Sequence, residues 1–244
     1  MKYGVLGDIH ANLSALEVVL DDLDRVGVDV LLSVGDVVGY GAAPAACIDL
    51  LRDRQVVTVK GNHDAAVVRE LDDRYFNNYA REAVRWTQAN LDRARQNWLA
   101  ALPLALELEH CHLAHGTLHR PELFDYILST TDADPSLNVM TKPMCFVGHS
   151  HVPIALLRLA EAPRRTAYST DPLLELAEVQ RCLFNVGSVG QPRDENPRTG
   201  YAVYDTDAKH AWLTRLPYDI EREAARIRHA GLPQVLAERL KLGV

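Results

Sequence analysis

Cysteine is scarce and scattered. Cys47, Cys111, Cys145 and Cys182 form no C-x-x-C pair, so neither a zinc knuckle nor a disulfide framework is indicated, and the four read as small buried apolar side chains. Nowhere does the chain reach the ~18 continuous apolar residues of a membrane span. Met1-Lys2-Tyr3-Gly4-Val5 runs straight into a strand pattern without the layout of a signal peptide. The expectation is a soluble, cytoplasmic protein with no membrane partner. No long basic run offsets the formal net charge of −7, which argues against a grip on a nucleic-acid polymer. Small anionic substrates stay open if bound cations supply the positive charge. Internal repeats and dividing linkers are absent too, so 1–244 reads as one domain. The sequence carries no signal for an oligomeric state. A chain of 244 residues with 48% hydrophobic side chains can bury roughly 70–75% of its unfolded surface.

What is present is a series of strand-length apolar runs that end in ligand-type residues. Met144 to Val147 ends at Gly148-His149-Ser150-His151. In an extended segment residues i and i+2 face the same way, so these two imidazoles would emerge side by side. Tyr3 to Leu6 ends at Gly7-Asp8-Ile9-His10, after which Asn12 caps a helix carrying Leu13, Leu16, Leu20 and Leu23 and stopping at Gly27. Asp8 and His10 can chelate one ion from such a turn, or serve as a cap and a surface histidine. Val30 to Val34 ends at Gly35-Asp36, and Val56 to Val59 at Lys60-Gly61-Asn62-His63-Asp64. Taken alone, Asp36 and Asn62 read as readily as helix caps. The β/α alternation predicts a mostly parallel inner sheet with ligands at its carboxyl ends.

The stretch at about 69–101 reads as a helical insert. Tyr79 to Leu91 has helical spacing with Asn77 or Asn78 as cap, and Arg93 to Leu99 forms a second helix. Tyr75, Phe76 and Trp86 read as packing, with a pair of helices overhanging the site as the functional alternative. Leu104 to Ala114 predicts a hairpin turning near Glu109. Counting back from His115 by twos places His110 and His112 on the opposite face, as surface or packing residues. His115 is the ligand candidate, and His119-Arg120 lies close enough in sequence to reach the same mouth. Ser129 to Lys142 reads as loop and short helix, and Ile154 to Leu159 as a strand. Glu161 to Gln180 is polar with a helix-like end, and Cys182 to Val186 leads to a Gly-rich segment. Tyr201 to Tyr204 and Trp212 to Leu216 alternate like antiparallel strands of a second sheet. The tail from Asp219 to Leu242 is an amphipathic helix broken at Gly231-Leu232-Pro233 and packed on a sheet edge.

In this order, Asp8-x-His10, Gly35-Asp36, Gly61-Asn62-His63-Asp64, His115-Gly116 and Gly148-His149-x-His151 resemble the calcineurin-like metallophosphoesterase superfamily. Gly187-Ser188-Val189-Gly190-Gln191-Pro192-Arg193-Asp194 is similar to a segment of its small prokaryotic phosphodiesterase branch. The resemblance implies a four-layer α/β/β/α sandwich of two mixed sheets flanked by helices. It also implies two divalent ions, one on Asp8, His10, Asp36 and His151 and the other on Asp36, Asn62, His115 and His149. Asp36 bridges, offering one oxygen to each. Mixed N and O ligands favour Mn²⁺ or Fe²⁺, with Zn²⁺, Co²⁺ and Ni²⁺ as alternatives, over Ca²⁺.

Two such ions would share a water, lower its pKa to roughly 7 and direct it in line at phosphorus. His63 is then the general acid or cationic donor to the phosphate, with Asp64 beside it as a candidate partner. Protein phosphatases of the superfamily place an Asp where this chain has Gly39 and an Arg where it has Lys60, which argues against that activity. Arg193 suits a phosphate contact. Tyr40 and Tyr126 are placed to stack on a base, and His119 and Arg120 are further substrate candidates. The expected activity is hydrolysis of a small phosphodiester, such as a cyclic nucleotide or model diester, so the expected partner is a small phosphate-ester or nucleotide substrate. The alternatives are a dinucleoside polyphosphate hydrolase, a nucleotide phosphomonoesterase and, in another class, a non-catalytic scaffold of the same fold.

Overall fold

The computed structural model describes residues 1–244. Each apolar run becomes a strand that stops where its ligand-type residues begin. The first half runs β1 (Lys2–Leu6), α1 (Leu13–Val26), β2 (Val30–Ser33), α2 (Pro44–Asp53), β3 (Val57–Thr58) and α3 (Asn62–Val67), then α4 (Asn78–Asn90), α5 (Arg93–Ala100), β4 (Ala105–Glu107) and β5 (Cys111–Ala114). The second half runs α6 (Thr130–Val139), β6 (Met144–Val147), β7 (Ile154–Leu159), β8 (Thr166–Ser169), β9 (Leu173–Glu175), β10 (Val179–Asn185), β11 (Thr199–Asp205), β12 (His210–Leu216), α7 (Ile220–His229) and α8 (Gln234–Glu238). α1 shows the local logic. The Asn12 side chain accepts the Ala15 N–H at its start, Gly27 closes it in the left-handed region, and Leu16, Leu20 and Leu23 form its buried stripe.

Two six-stranded sheets result, β3-β2-β1-β11-β12-β9 and β4-β5-β6-β10-β7-β8. Both are mixed: β1, β2 and β3 are parallel with β11 antiparallel, and β5, β6 and β10 are parallel with β7 antiparallel. Their facing sides meet in one core that includes Val5, Leu32, Leu113, Phe146, Phe184 and Ala202. A second core joins the first sheet to α1 and α2 through Leu6, Leu16, Leu20, Ile48 and Tyr201. A third joins the second sheet to α6 through Cys145, Leu183, Ala133 and Leu137. This is the four-layer α/β/β/α sandwich. All four cysteines are free and buried, and no helix is long and apolar enough to cross a membrane.

Three expectations are corrected. β11 and β12 extend the first sheet, with Tyr204 opposite Tyr3 and Ala202 opposite Val5; alternation marks a strand without naming its partner. The helix-like reading of 161–180 gives way to β8 and β9, which end the two sheets as short edge strands. The C-terminal tail packs on Tyr40, Ala80 and Ala83 through Ile227, Leu236 and Leu240, and not on a sheet edge.

His112 is a packing residue, as its parity predicts, but a buried one. Its Nε2 accepts the backbone N–H groups of Thr141 and Lys142 at 3.0 and 3.1 Å, tying β5 to the turn before β6. Protonation would remove that acceptor, and burial accordingly lowers the pKa of the ring from its ordinary value. A group with a depressed folded pKa binds fewer protons folded than unfolded. Its contribution is therefore complete above the unfolded value near 6.5 and is lost as pH falls through it. The Tm gap between wild type and His112→Gln should close as pH falls from about 8 to about 5, measured by differential scanning calorimetry. A gap independent of pH would contradict the assignment.

Candidate metal centre

The ligand-type residues sit in tight left-handed turns. Asp8, His10, Asp36, His149 and His151 all have positive φ, between 48° and 68°, a region that non-glycine residues occupy at a cost. The extended geometry expected of His149 and His151 is thus corrected: β6 ends at Val147, and the turns send the two rings into different donor groups. Backbone hydrogen bonds hold the turns in place. Asp8 N–H donates to Gly35 O at 3.2 Å, His10 N–H to Asp36 O at 2.9 Å and Gly148 N–H to His115 O at 2.8 Å. The Asp8 carboxylate joins the two sheets by accepting the His149 N–H at 3.0 Å.

Two donor groups form at the carboxyl ends of the sheets. Asp8, His10, Asp36 and His151 make one, and Asp36, His115 and His149 make the other. Within each, the donor atoms lie within 4.8 Å of one another and are buried. The Asn62 side-chain oxygen joins the second group, 3.1 Å from His115 Nε2. Three imidazoles are oriented from behind by carbonyls: His10 Nδ1 on Val38 O, His115 Nδ1 on Val34 O and His151 Nδ1 on Gln191 O. A ring that gives its Nδ1–H to a carbonyl turns the lone pair of Nε2 inward. His10 Nε2 and His151 Nε2 then face each other at 3.1 Å, and His115 Nε2 faces His149 Nδ1 at 3.1 Å. With both Nδ1–H groups given to carbonyls, the neutral His10 and His151 rings meet through lone pairs that repel unless a cation lies between them. With the Asp36, Asn62, His115 and His149 donors beside them, the set fits two divalent ions.

Asp36 links the groups, though not as expected. Its Oδ1 accepts the His63 backbone N–H at 2.8 Å. Oδ2 alone faces both groups, 3.6 Å from His10 Nε2 and 3.3 Å from His115 Nε2. The bridge would be a single oxygen. Burial works against the charge of Asp36, but His115 and His63 outweigh it and hold the carboxyl well below its usual range. Burial pushes Asp8 up to about 7, with Asp36 adding to the rise. Burial also lowers His115, yet Asp36 and Asp8 reverse this and raise it to about 9. His10, His149 and His151 are held well below the usual imidazole value, chiefly by burial. These three rings are thus neutral, the state that metal binding needs, whereas His115 would give up its proton to a bound ion.

His63 lies beside the first group, its ring edge-on to His10 at 4.8 Å and to Phe76 at 4.7 Å. Burial lowers its pKa to about 4. No carboxylate orients it. Asp64, the candidate partner, turns away: its two oxygens accept the Gly61 and Val38 N–H groups, closing the first turn of α3. His63 Nδ1 has no partner and rests against Gly39, where an added Cβ would come within 2.3 Å of it. Lys60 also turns away, pairing with Glu70 and donating to Ala100 O at 2.9 Å.

Of the substrate candidates, three come together. The Arg193 guanidinium donates to Tyr40 Oη at 3.2 Å and lies 5.7 Å from the centre of that ring. Burial raises the pKa of Tyr126, and Arg193 lies close enough to its hydroxyl to work against that rise. Tyr126 stacks on His149 with ring centres 3.8 Å apart, leaving Tyr40 as packing beside His10 and His63. His119 and Arg120 line a separate polar depression that shares only Tyr126 with the cleft beside the metal site. Sequence reasoning missed Arg239, which lies 5.9 Å from the Tyr40 ring. Nothing local marks it, because its position depends on the tail folding back over Tyr40.

Residues 1–209 match the calcineurin-like phosphoesterase superfamily domain. The chain therefore belongs to the calcineurin-like phosphoesterase superfamily. An uncharacterized protein of Methanocaldococcus jannaschii, MJ0912, is 34% identical over 98% of this chain and 97% of its own length. The crystal structure of a metallophosphoesterase from Sphaerobacter thermophilus shares 37% identity, covers 100% of both chains and superposes with a TM-score of 0.87. Phosphodiesterase YfcE of Escherichia coli is 27% identical over 85% of this chain and 89% of its own.

Gly39→Ala tests how the His63 ring is held. The methyl group should push the His63 ring aside and cut turnover by about 100-fold while the metal content by plasma mass spectrometry stays at the wild-type level. Unchanged turnover would mean that the position of His63 is irrelevant to the rate.

Proposed function

We propose that this phosphoesterase hydrolyses a small phosphodiester with two divalent ions, Mn²⁺ or Fe²⁺ being the best matched to its donors. The observation that carries this is the single Asp36 Oδ2 facing two buried groups of imidazole and carboxylate donors. Asp8, His10, Asp36 and His151 would hold one ion, and Asp36, Asn62, His115 and His149 the other. When bound, such ions supply an activated water near neutral pH and offset the negative charge of the phosphate.

The chain's own residues supply the rest. Arg193 sits where its guanidinium can bind a non-bridging phosphate oxygen, held there by Tyr40. His63 lines the cleft beside the metal site and serves the leaving oxygen. Burial keeps the free ring neutral even though Asp36 pulls its pKa upward, and an anionic phosphate in direct contact would add to that pull and favour the protonated form. His63 thus takes up its proton together with the substrate and passes it to the departing alkoxide. The name of YfcE supports the diester over the monoester.

The test is turnover of bis-p-nitrophenyl phosphate against p-nitrophenyl phosphate by the Mn²⁺-loaded protein. Release from the diester should be faster and should fall at least about 100-fold in Asp36→Asn. A clear preference for the monoester, or full activity in the variant, would contradict the proposal.

A further inference from the structure

A cleft of about 470 Å³ opens directly onto Asn62, His63 and His149, within the range of roughly 300–1,000 Å³ typical of small-ligand sites. The rest of its lining is largely aromatic: Tyr40 lies beside His63, and most of the remainder comes from two segments. Tyr75 and Phe76 precede α4, and Leu123, Phe124 and Tyr126 lie between β5 and α6. The sequence suggested that Tyr75 packs inside, but it is 83% exposed, and Leu123 and Tyr126 are each 49% exposed. Apolar side chains left open on both segments mark a binding surface. That surface is continuous with the chemistry, since Phe76 packs edge-on against His63 and Tyr126 stacks on His149.

The polar part of the lining narrows the occupant. No lysine or arginine lines the cleft, so it offers nothing to a second phosphate or a polyphosphate chain. Asn77 and Glu122 also border it. The Asn77 oxygen is taken by the Ala80 N–H at the start of α4, which leaves its amide N–H groups free to donate. Glu122 forms no ion pair and can accept. An alkyl group would leave both unmatched. A flat ring with apolar faces and a hydrogen-bonding edge meets every feature. We infer that the cleft holds the nucleobase of a nucleoside phosphodiester whose phosphate sits at the metal centre. This rests on the proposed phosphodiesterase activity.

The test compares the cyclic phosphodiester of adenosine with that of the abasic methyl riboside, followed by phosphorus NMR on the Mn²⁺-loaded protein. Stacking a base on aromatic side chains corresponds to a roughly 5–150-fold preference, so kcat/KM should favour the adenosine substrate by at least about tenfold. Tyr75→Ala and Leu123→Ala alter largely exposed positions, and each should lower that ratio several-fold. Equal kcat/KM for the two substrates in the wild type, or a ratio unmoved in both variants, would overturn the inference while leaving the phosphodiesterase activity standing. Hydrolysis of neither substrate would count against the activity instead. Saturation-transfer NMR of adenosine then decides the cleft by itself: transfer to the base protons that weakens in Tyr75→Ala supports it, and no transfer in the wild type rejects it.

Discussion

The arrangement depends on one buried carboxylate. Asp36 Oδ1 fixes the first turn of α3 through the His63 N–H, and Oδ2 faces donors from both sheets. The approach is so close that a Cβ on Gly61 would lie 2.1 Å from Oδ1, so only glycine fits there. Burying such a group without compensation is costly. Compensation comes from the imidazoles of His115, His63 and His10, and the proposed ions would add to it. The same ions would pin the carboxyl ends of the two sheets together, so the chemistry and the joint between the sheets rest on one set of contacts.

His63 is held by shape. With Gly39 beneath it, Tyr40 at 4.5 Å and Phe76 at 4.7 Å, the ring is boxed by apolar surface and has no acidic partner. This ties the reacting group to the helical stretch, because Phe76 comes from that stretch and Lys60 anchors it through Glu70 and Ala100. Changes in the aromatic cleft therefore reach the rate as well as the affinity. On the proposed reading, the surface that would recognise a base also positions the ring that would serve the leaving oxygen.

Much of this was legible in the sequence because the chemistry demands particular residue types at strand ends. Asp8, His10, Asp36, Asn62, His115, His149 and His151 stood out because each closes an apolar run. The β/α alternation pointed to a parallel inner sheet, and the superfamily resemblance supplied the four layers and the order of the motifs. Three things were not legible. Positive φ at His149 and His151 cannot be read from residue identity, so a strand parity was assumed where the chain turns. Alternation in Tyr201 to Tyr204 does not reveal that β11 lies against β1. Long-range packing escaped as well: the tail brings Arg239 to Tyr40, and Asp64 serves backbone amides although its neighbour is His63.

The central claim, two metal ions sharing Asp36, is tested most directly by counting them. Plasma mass spectrometry of the Mn²⁺-loaded, desalted protein should find close to two ions per chain. His10→Ala should keep one of them, because the Asp36, Asn62, His115 and His149 group is intact. A single ion in the wild type, or an undiminished count in His10→Ala, would contradict the account.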